Sequence, residues 1–231
     1  MERYTFGTRR YGLIPGSDDV LLWLHGSTQS ASVTRRFTNR RFEALGMTVL
    51  YPEGVAHHWN DARRDLAERT RDLQTDDVGF LTELVHSFEP LRVVGAGFSN
   101  GGHMIYRLLH DAPGLLNAAC VIAATQPAAD NFLSTVDKWQ PTPLLLLHGA
   151  SDPIAPIAGG HVRGATLSAA DTLAYYQRLN GDAAPVELVT LPDTGHVVPG
   201  PGCVASDFLG PANESVDAAA LLLDFLLRNL H

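Results

Sequence analysis

A chain of 231 residues with 45% hydrophobic and 18% charged side chains is long enough to fill the core of one α/β domain. Its 17 basic against 25 acidic residues leave a formal charge of −8, which argues against nucleic acid or an anionic membrane as partner. No stretch approaches the length of a membrane span, and two cysteines are too few for a disulfide framework.

The segment from Tyr4 to Ile14 is expected to add an antiparallel edge to a sheet. The residues from Met1 to Thr5 lack the apolar core of a signal peptide, so the chain as given reads as cytoplasmic, with a trimmed export signal left open. An apolar strand over 20–25 runs into His25-Gly26-Ser27. A helix is expected over 32–45, with Arg35, Arg36, Arg40 and Arg41 on a solvated face and Phe37 and Phe42 between them as core anchors. After a strand over 47–51 comes a loop with His57, His58 and Trp59. Adjacent histidines without a third and fourth ligand at suitable spacing read as polar loop groups, so neither a metal nor another cofactor is implied. A helix over 72–88 leads to a strand over 91–96.

That strand ends in Gly97-Phe98-Ser99-Asn100-Gly101, and a helix over 101–111 follows. Strand, sharp turn and helix is the context in which a G-x-S-x-G turn presents a nucleophile: the serine sits strained at the strand's tip, between positions that cannot carry bulky side chains. The helix then points its free N–H groups at the place where an oxyanion would form. In this reading the backbone N–H of Asn100 is one oxyanion donor, and that of Ser27, after the strand over 20–25, is the other. His103 is expected to pack under the turn. Cys120 falls in a strand over 117–123 as a buried free thiol. The segment Gln126 to Trp139 can hold at most one small helix, which leaves the site open. Trp59 and Trp139 lie in loops able to overhang Ser99, and each either walls a pocket or buries its loop against the core.

Beyond a strand over 143–148, turn residues put Asp152 just past a strand's C-terminal end. A helix over 168–180 and a strand over 186–191 follow, and His196 lies in the loop after that strand. A serine hydroxyl is a poor nucleophile at neutral pH, so an imidazole must take its proton and a carboxylate must hold the imidazole's tautomer and steady its charge. Ser99, Asp152 and His196 supply these groups in the chain order of the α/β-hydrolases. Asp193 is the weaker acid candidate, because it sits only three residues before the histidine. Val198, just past the histidine, is placed at the substrate. Cys203 sits in a Pro/Gly-rich loop with no bridge to Cys120 expected, and a last helix spans 215–229. The alternation predicts a single α/β domain over 1–231, its mostly parallel sheet covered on both faces and its site carried by loops at strand C-terminal ends.

Taken together, Leu24-His25-Gly26, Tyr51-Pro52-Glu53-Gly54, Trp59, Asp76-Asp77-Val78-Gly79-Phe80, Gly97 to Gly102, His148-Gly149 with Asp152-Pro153-Ile154, and Gly195-His196 with Pro199-Gly200 resemble the polyhydroxybutyrate depolymerase and feruloyl esterase group of α/β-hydrolases. The resemblance runs from about residue 20 to about residue 200. The phospholipase/carboxylesterase and acyl-thioesterase group shares the short length and the Gly-Phe-Ser-x-Gly-Gly turn. The resemblance implies an α/β-hydrolase fold with little or no lid, a triad of Ser99, Asp152 and His196, and a serine carboxylic-ester hydrolase acting through an acyl-enzyme on a small-molecule ester. Polyhydroxyalkanoate oligomer cleavage, thioester cleavage and a catalytically silent binding protein are the alternatives. The chain departs from the group where Ser27 replaces the cysteine that secreted members often carry and where Val197-Val198 replaces a tryptophan, and no appended polymer-binding module is expected. These departures favour soluble short-acyl or small aromatic esters. Oligomeric state is not legible in the sequence.

Overall fold

Alternation along Ser17–Leu24 sends Val20, Leu22 and Leu24 to one face of a strand and Leu21 and Trp23 to the other, and both sets are sealed from solvent. A strand buried on both faces belongs inside a sheet covered by helices. The structure, a computed structural model describing residues 1–65, 67–161, 164–203 and 206–230, places it there. Eight strands, β1 (Glu2–Phe6), β2 (Arg9–Ile14), β3 (Ser17–Leu24), β4 (Met47–Pro52), β5 (Val93–Phe98), β6 (Ala118–Ile122), β7 (Leu144–Gly149) and β8 (Val186–Leu191), form one sheet in the order β1-β2-β4-β3-β5-β6-β7-β8. The expected antiparallel edge is the β1–β2 hairpin, which joins the sheet antiparallel to β4, and β3 to β8 run parallel.

Helices α1 (Ala31–Phe37) and α6 (Ala218–Asn229) cover one face, through Ala31, Leu222 and Phe225. The other face is covered by α3 (Asp77–His86), α4 (Asn100–Asp111) and α5 (Ala169–Asn180), through Leu81, Leu84, Ile105, Leu108 and Tyr176. A single turn, α2 (Arg69–Asp72), precedes α3.

Three helices are shorter than their sequence suggests. The helix expected over 32–45 breaks after Phe37, where Asn39 and Arg40 turn left-handed, and resumes as a 3₁₀ turn at Arg41–Leu45. The break brings Glu43 back to Arg35 in a two-pronged bond of 2.5 and 2.9 Å, while Arg41 reaches Asp217 at 2.5 Å and the Pro199 carbonyl at 3.3 Å. Only Arg36 and Arg40 of the arginine cluster are exposed, so it is not one solvated face. The helix expected over 72–88 starts at Asp77 because the Asp76 carboxylate accepts the Gly79 N–H at 2.8 Å and caps it there. The last helix likewise starts at Ala218, capped by Asp217. The segment 126–139 contains no helix. Cys120 and Cys203 are both free, and burial pushes the Cys120 thiol's pKa well up. Among the described residues no helix is long and apolar enough to cross a membrane.

Candidate active site

Four parallel strands, β3, β5, β7 and β8, deliver their following loops to one edge of the sheet. The loop after β5 is the sharpest. A Cβ at position 97 would run into the Gly101 carbonyl, and one at 101 into the Leu24 carbonyl, so the turn closes only with glycine at both ends. Ser99 takes φ 54° and ψ −116°, a conformation that L-residues avoid. It is held there by its N–H donating to the Ile122 carbonyl at 2.9 Å and its carbonyl accepting the His103 N–H at 3.0 Å.

Ser99, His196 and Asp152 come together in one line of hydrogen bonds. His196 Nε2 lies 2.8 Å from Ser99 Oγ, and Nδ1 lies 2.7 Å from Asp152 Oδ2. A carboxylate only accepts, so Nδ1 carries the ring proton and Nε2 presents its lone pair to the serine hydroxyl. The second carboxylate oxygen accepts the Ile154 and Ala155 N–H groups, each at 2.8 Å. His148 lies 3.9 Å from Asp152 and donates from Nε2 to the Ala155 carbonyl at 2.7 Å, closing the turn behind the acid. The histidine loop is clamped by the His196 N–H on the Leu209 carbonyl at 2.6 Å and the Gly195 N–H on the Pro211 carbonyl at 2.8 Å. Asp193, the weaker candidate acid, is exposed.

The loop after β3 aims a second group. Gly54 N–H donates to His25 Nε2 at 3.0 Å, so the proton of His25 is on Nδ1, which donates to the Gly26 carbonyl at 2.8 Å. In a trans peptide the carbonyl and the next N–H point opposite ways, so fixing the Gly26 oxygen turns the Ser27 N–H outward. Ser27 lines the cleft with Ser99 and His196, and neither its N–H nor that of Asn100, first in α4, has an acceptor among the described residues. The Asn100 side chain fixes its own backbone by accepting the Trp59 N–H at 2.8 Å and donating to the Trp59 carbonyl at 3.1 Å and to Asp61 at 2.6 Å.

Three residues placed at the substrate lie elsewhere. Trp59 is fully buried behind the β3 loop, its indole N–H on the His25 carbonyl at 3.0 Å and its ring 4.8 Å from that of His25, so it supports the loop from behind. Trp139 packs against His110 and Tyr176 at 4.9 and 5.6 Å, on the flank of α4 and α5. Val198 is buried in the core under α6. The cleft is lined instead by residues that sequence reasoning did not place there, among them Phe37, which was expected as a core anchor. An apolar groove of about 470 Å³ beside Ser99 is walled by Val33, Phe37, Phe98, Ile154 and Phe208. Val33 and Phe37 share a face of α1 at i,i+4 spacing, which was a usable signal. Phe208 lies in a loop without periodicity and gave none. A polar niche of about 40 Å³ opens on the other side, with His103, Arg63, Thr125 and Thr166 in its wall. His103 thus borders the cleft as well as packing beside the turn. Among the described residues there is no cluster of three metal-ligating side chains, and His58 sits 3.4 Å from Glu68.

Burial pushes the pKa of His25 down to about 4 and that of His103 down to about 3, from an ordinary 6.5. Both rings are neutral when folded and take up protons when unfolded. Their stability contribution is therefore complete above pH 6.5 and is lost as pH falls toward those lower values, by about 1.4 kcal/mol per pH unit for each ring. Urea midpoints at pH 7.5 and pH 5 test this in a single buffer system. The midpoint should drop at the lower pH, and an unchanged or higher one would contradict neutral buried rings.

No protein-family profile matches the chain. NocK of Nocardia uniformis subsp. tsuyamanensis, a protein named for an inferred esterase activity, is 29% identical over 157 residues, covering 63% of this chain and 43% of that protein. The chain therefore matches less than half of that relative's length. A carboxylesterase from Mesorhizobium loti superposes with a TM-score of 0.65 at 19% identity, over 97% of this chain and 98% of its own. The Bacillus cereus carboxylesterase does so with 0.60 at 20%, over 82% and 87%. The fold is that of the α/β-hydrolases, shared with these esterases.

Proposed function

We propose that the protein is a serine carboxylic-ester hydrolase that acts through an acyl-Ser99 intermediate on soluble esters with a short acyl or small aromatic arm. The observation that carries this reading is the line Asp152–His196–Ser99, with its bonds of 2.7 and 2.8 Å ending beside two amides that lack acceptors.

In this mechanism His196 Nε2 takes the hydroxyl proton as Ser99 Oγ attacks the ester carbonyl carbon. The carbonyl oxygen becomes an oxyanion facing the Ser27 and Asn100 N–H groups, which are already oriented and need no rearrangement. The imidazolium formed is steadied by Asp152, whose other oxygen is held by two backbone N–H groups. His196 returns the proton to the leaving alkoxide as the C–O bond breaks. Water then repeats the sequence on the acyl-enzyme, releases the acid and restores the serine.

The apolar groove sets the expected length preference. Each methylene that enters it gains about 0.8 kcal/mol, and one that projects past Val33 and Phe208 into solvent gains nothing. For nitrophenyl acetate, butyrate, octanoate and palmitate, kcat/KM should rise from acetate and level off by octanoate, with no further gain at palmitate. A rise continuing to palmitate would contradict a short-arm site, and no turnover of any of the four would contradict ester hydrolysis.

A further inference from the structure

The niche beside Ser99 holds polar groups that the proposed ester chemistry does not use. His103, 6% exposed and one helical turn past Ser99, lines it. Its Nδ1 is sealed from solvent with no hydrogen-bond partner. Nε2 has no partner among the described residues either, yet it is not sealed, which places it on the ring edge that faces the niche. Burial and the nearby Arg63 guanidinium keep the ring neutral, with one proton to place. A buried N–H without an acceptor is rarer and costlier than a buried lone pair without a donor, so the proton belongs on Nε2, aimed into the niche.

The rest of the wall is mixed, with Ala123, Ile154, Ala155 and Pro156 beside two threonines. Thr125 and Thr166 line it, and their hydroxyls make no hydrogen bond among the described residues. Arg63 borders it while gripping the buried carboxylate of Asp61 at 2.6 Å. Arg71 donates to the carbonyls of Asp61 and Arg63 and has no carboxylate within ion-pair reach among the described residues. About 40 Å³ holds roughly two or three waters, so only a short arm fits. An apolar arm there would leave the His103 donor and both hydroxyls without partners.

We propose that this niche is a polar subsite that binds an oxygen acceptor on the short arm of the substrate ester, with His103 and Thr125 as its specificity-determining residues. The acceptor is a hydroxyl or ether oxygen, or a carboxylate; both present lone pairs to the same donors. This proposal rests on Ser99 being the nucleophile.

Two ester series with matched shapes test it. On the acid side these are methyl butyrate against methyl methoxyacetate and methyl 4-methylpentanoate against monomethyl succinate, and on the alcohol side propyl acetate against 2-hydroxyethyl acetate. Each kcat/KM, followed by pH-stat, is divided by that ester's alkaline hydrolysis rate to remove intrinsic reactivity. In at least one series the oxygen-bearing ester should be favoured about tenfold or more over its apolar match. Preference for the succinate alone identifies an anionic acceptor, and preference for the ether or hydroxyl a neutral one.

In His103→Leu and in Thr125→Val the preference, read as the ratio of the two esters within each variant, should collapse toward unity. Thr125→Val is the isosteric change and carries the test if His103→Leu does not fold. Equal or better turnover of the apolar esters in both series, or a preference that survives in every folded variant, overturns the subsite. Ester turnover with no oxygen preference defeats only this proposal, whereas no turnover of any ester and no fluorophosphonate adduct on Ser99 defeat the esterase reading and the subsite with it.

Discussion

Ser99→Ala is expected to lower kcat for ester hydrolysis about 10⁶-fold, His196→Ala nearly as much, and the double variant little more than either alone. The effects do not add because Oγ without a base, or a base without Oγ, leaves the same incomplete nucleophile. Residual hydrolysis of about 10³-fold over water should survive, since the Ser27 and Asn100 amides remain in place. The elbow should survive as well: glycines 97 and 101 and the Ser99 N–H bond to Ile122 do not involve the serine side chain. Single-turnover and steady-state rates on a nitrophenyl ester, with circular dichroism as the check on folding, decide this. A folded Ser99→Ala protein that keeps more than about a thousandth of the activity would remove Ser99 from the mechanism.

Asp152→Asn is expected to lower kcat about 10⁴-fold while leaving the fold intact. The reason lies in how Asp152 is held. One carboxylate oxygen accepts from Ile154 and Ala155 N–H, and an asparagine would keep its carbonyl oxygen on those donors. Its NH₂ would then face His196 Nδ1, forcing that nitrogen to accept and moving the ring proton to Nε2, where it meets the serine hydroxyl instead of taking its proton. Asp193→Asn is the control and should change kcat by less than about twofold, because Asp193 is exposed. The reverse ranking, with Asp193 the sensitive position, would reassign the acid.

The elements of this site were legible in unequal measure, for physical reasons. Gly97, Ser99 and Gly101 could be read because a strand-to-helix reversal restricts side chains at fixed offsets within five residues, and local geometry leaves a local trace. Asp152 and His196 could be read because apolar strands end just before them and loops at strand C-terminal ends carry chemistry in a parallel sheet. Trp59, Trp139 and Val198 were misplaced because a large side chain after a strand can turn toward the cleft or away from it, and what decides is a distant partner: the His25 carbonyl for Trp59, His110 and Tyr176 for Trp139. The break after Phe37 depends on the Arg35–Glu43 and Arg41–Asp217 pairs, the second of which spans most of the chain. The niche was illegible for the same reason. His103, Arg63, Thr125 and Thr166 come from four separate segments, and none announces its neighbours.

The most direct measurement is to treat the protein with a fluorophosphonate, digest it and locate the adduct by peptide mass spectrometry. A single adduct on Ser99, absent in His196→Ala, is the expected result. An unlabelled protein, or an adduct on Ser27 or any residue other than Ser99, would contradict the assignment of Ser99 as an activated nucleophile.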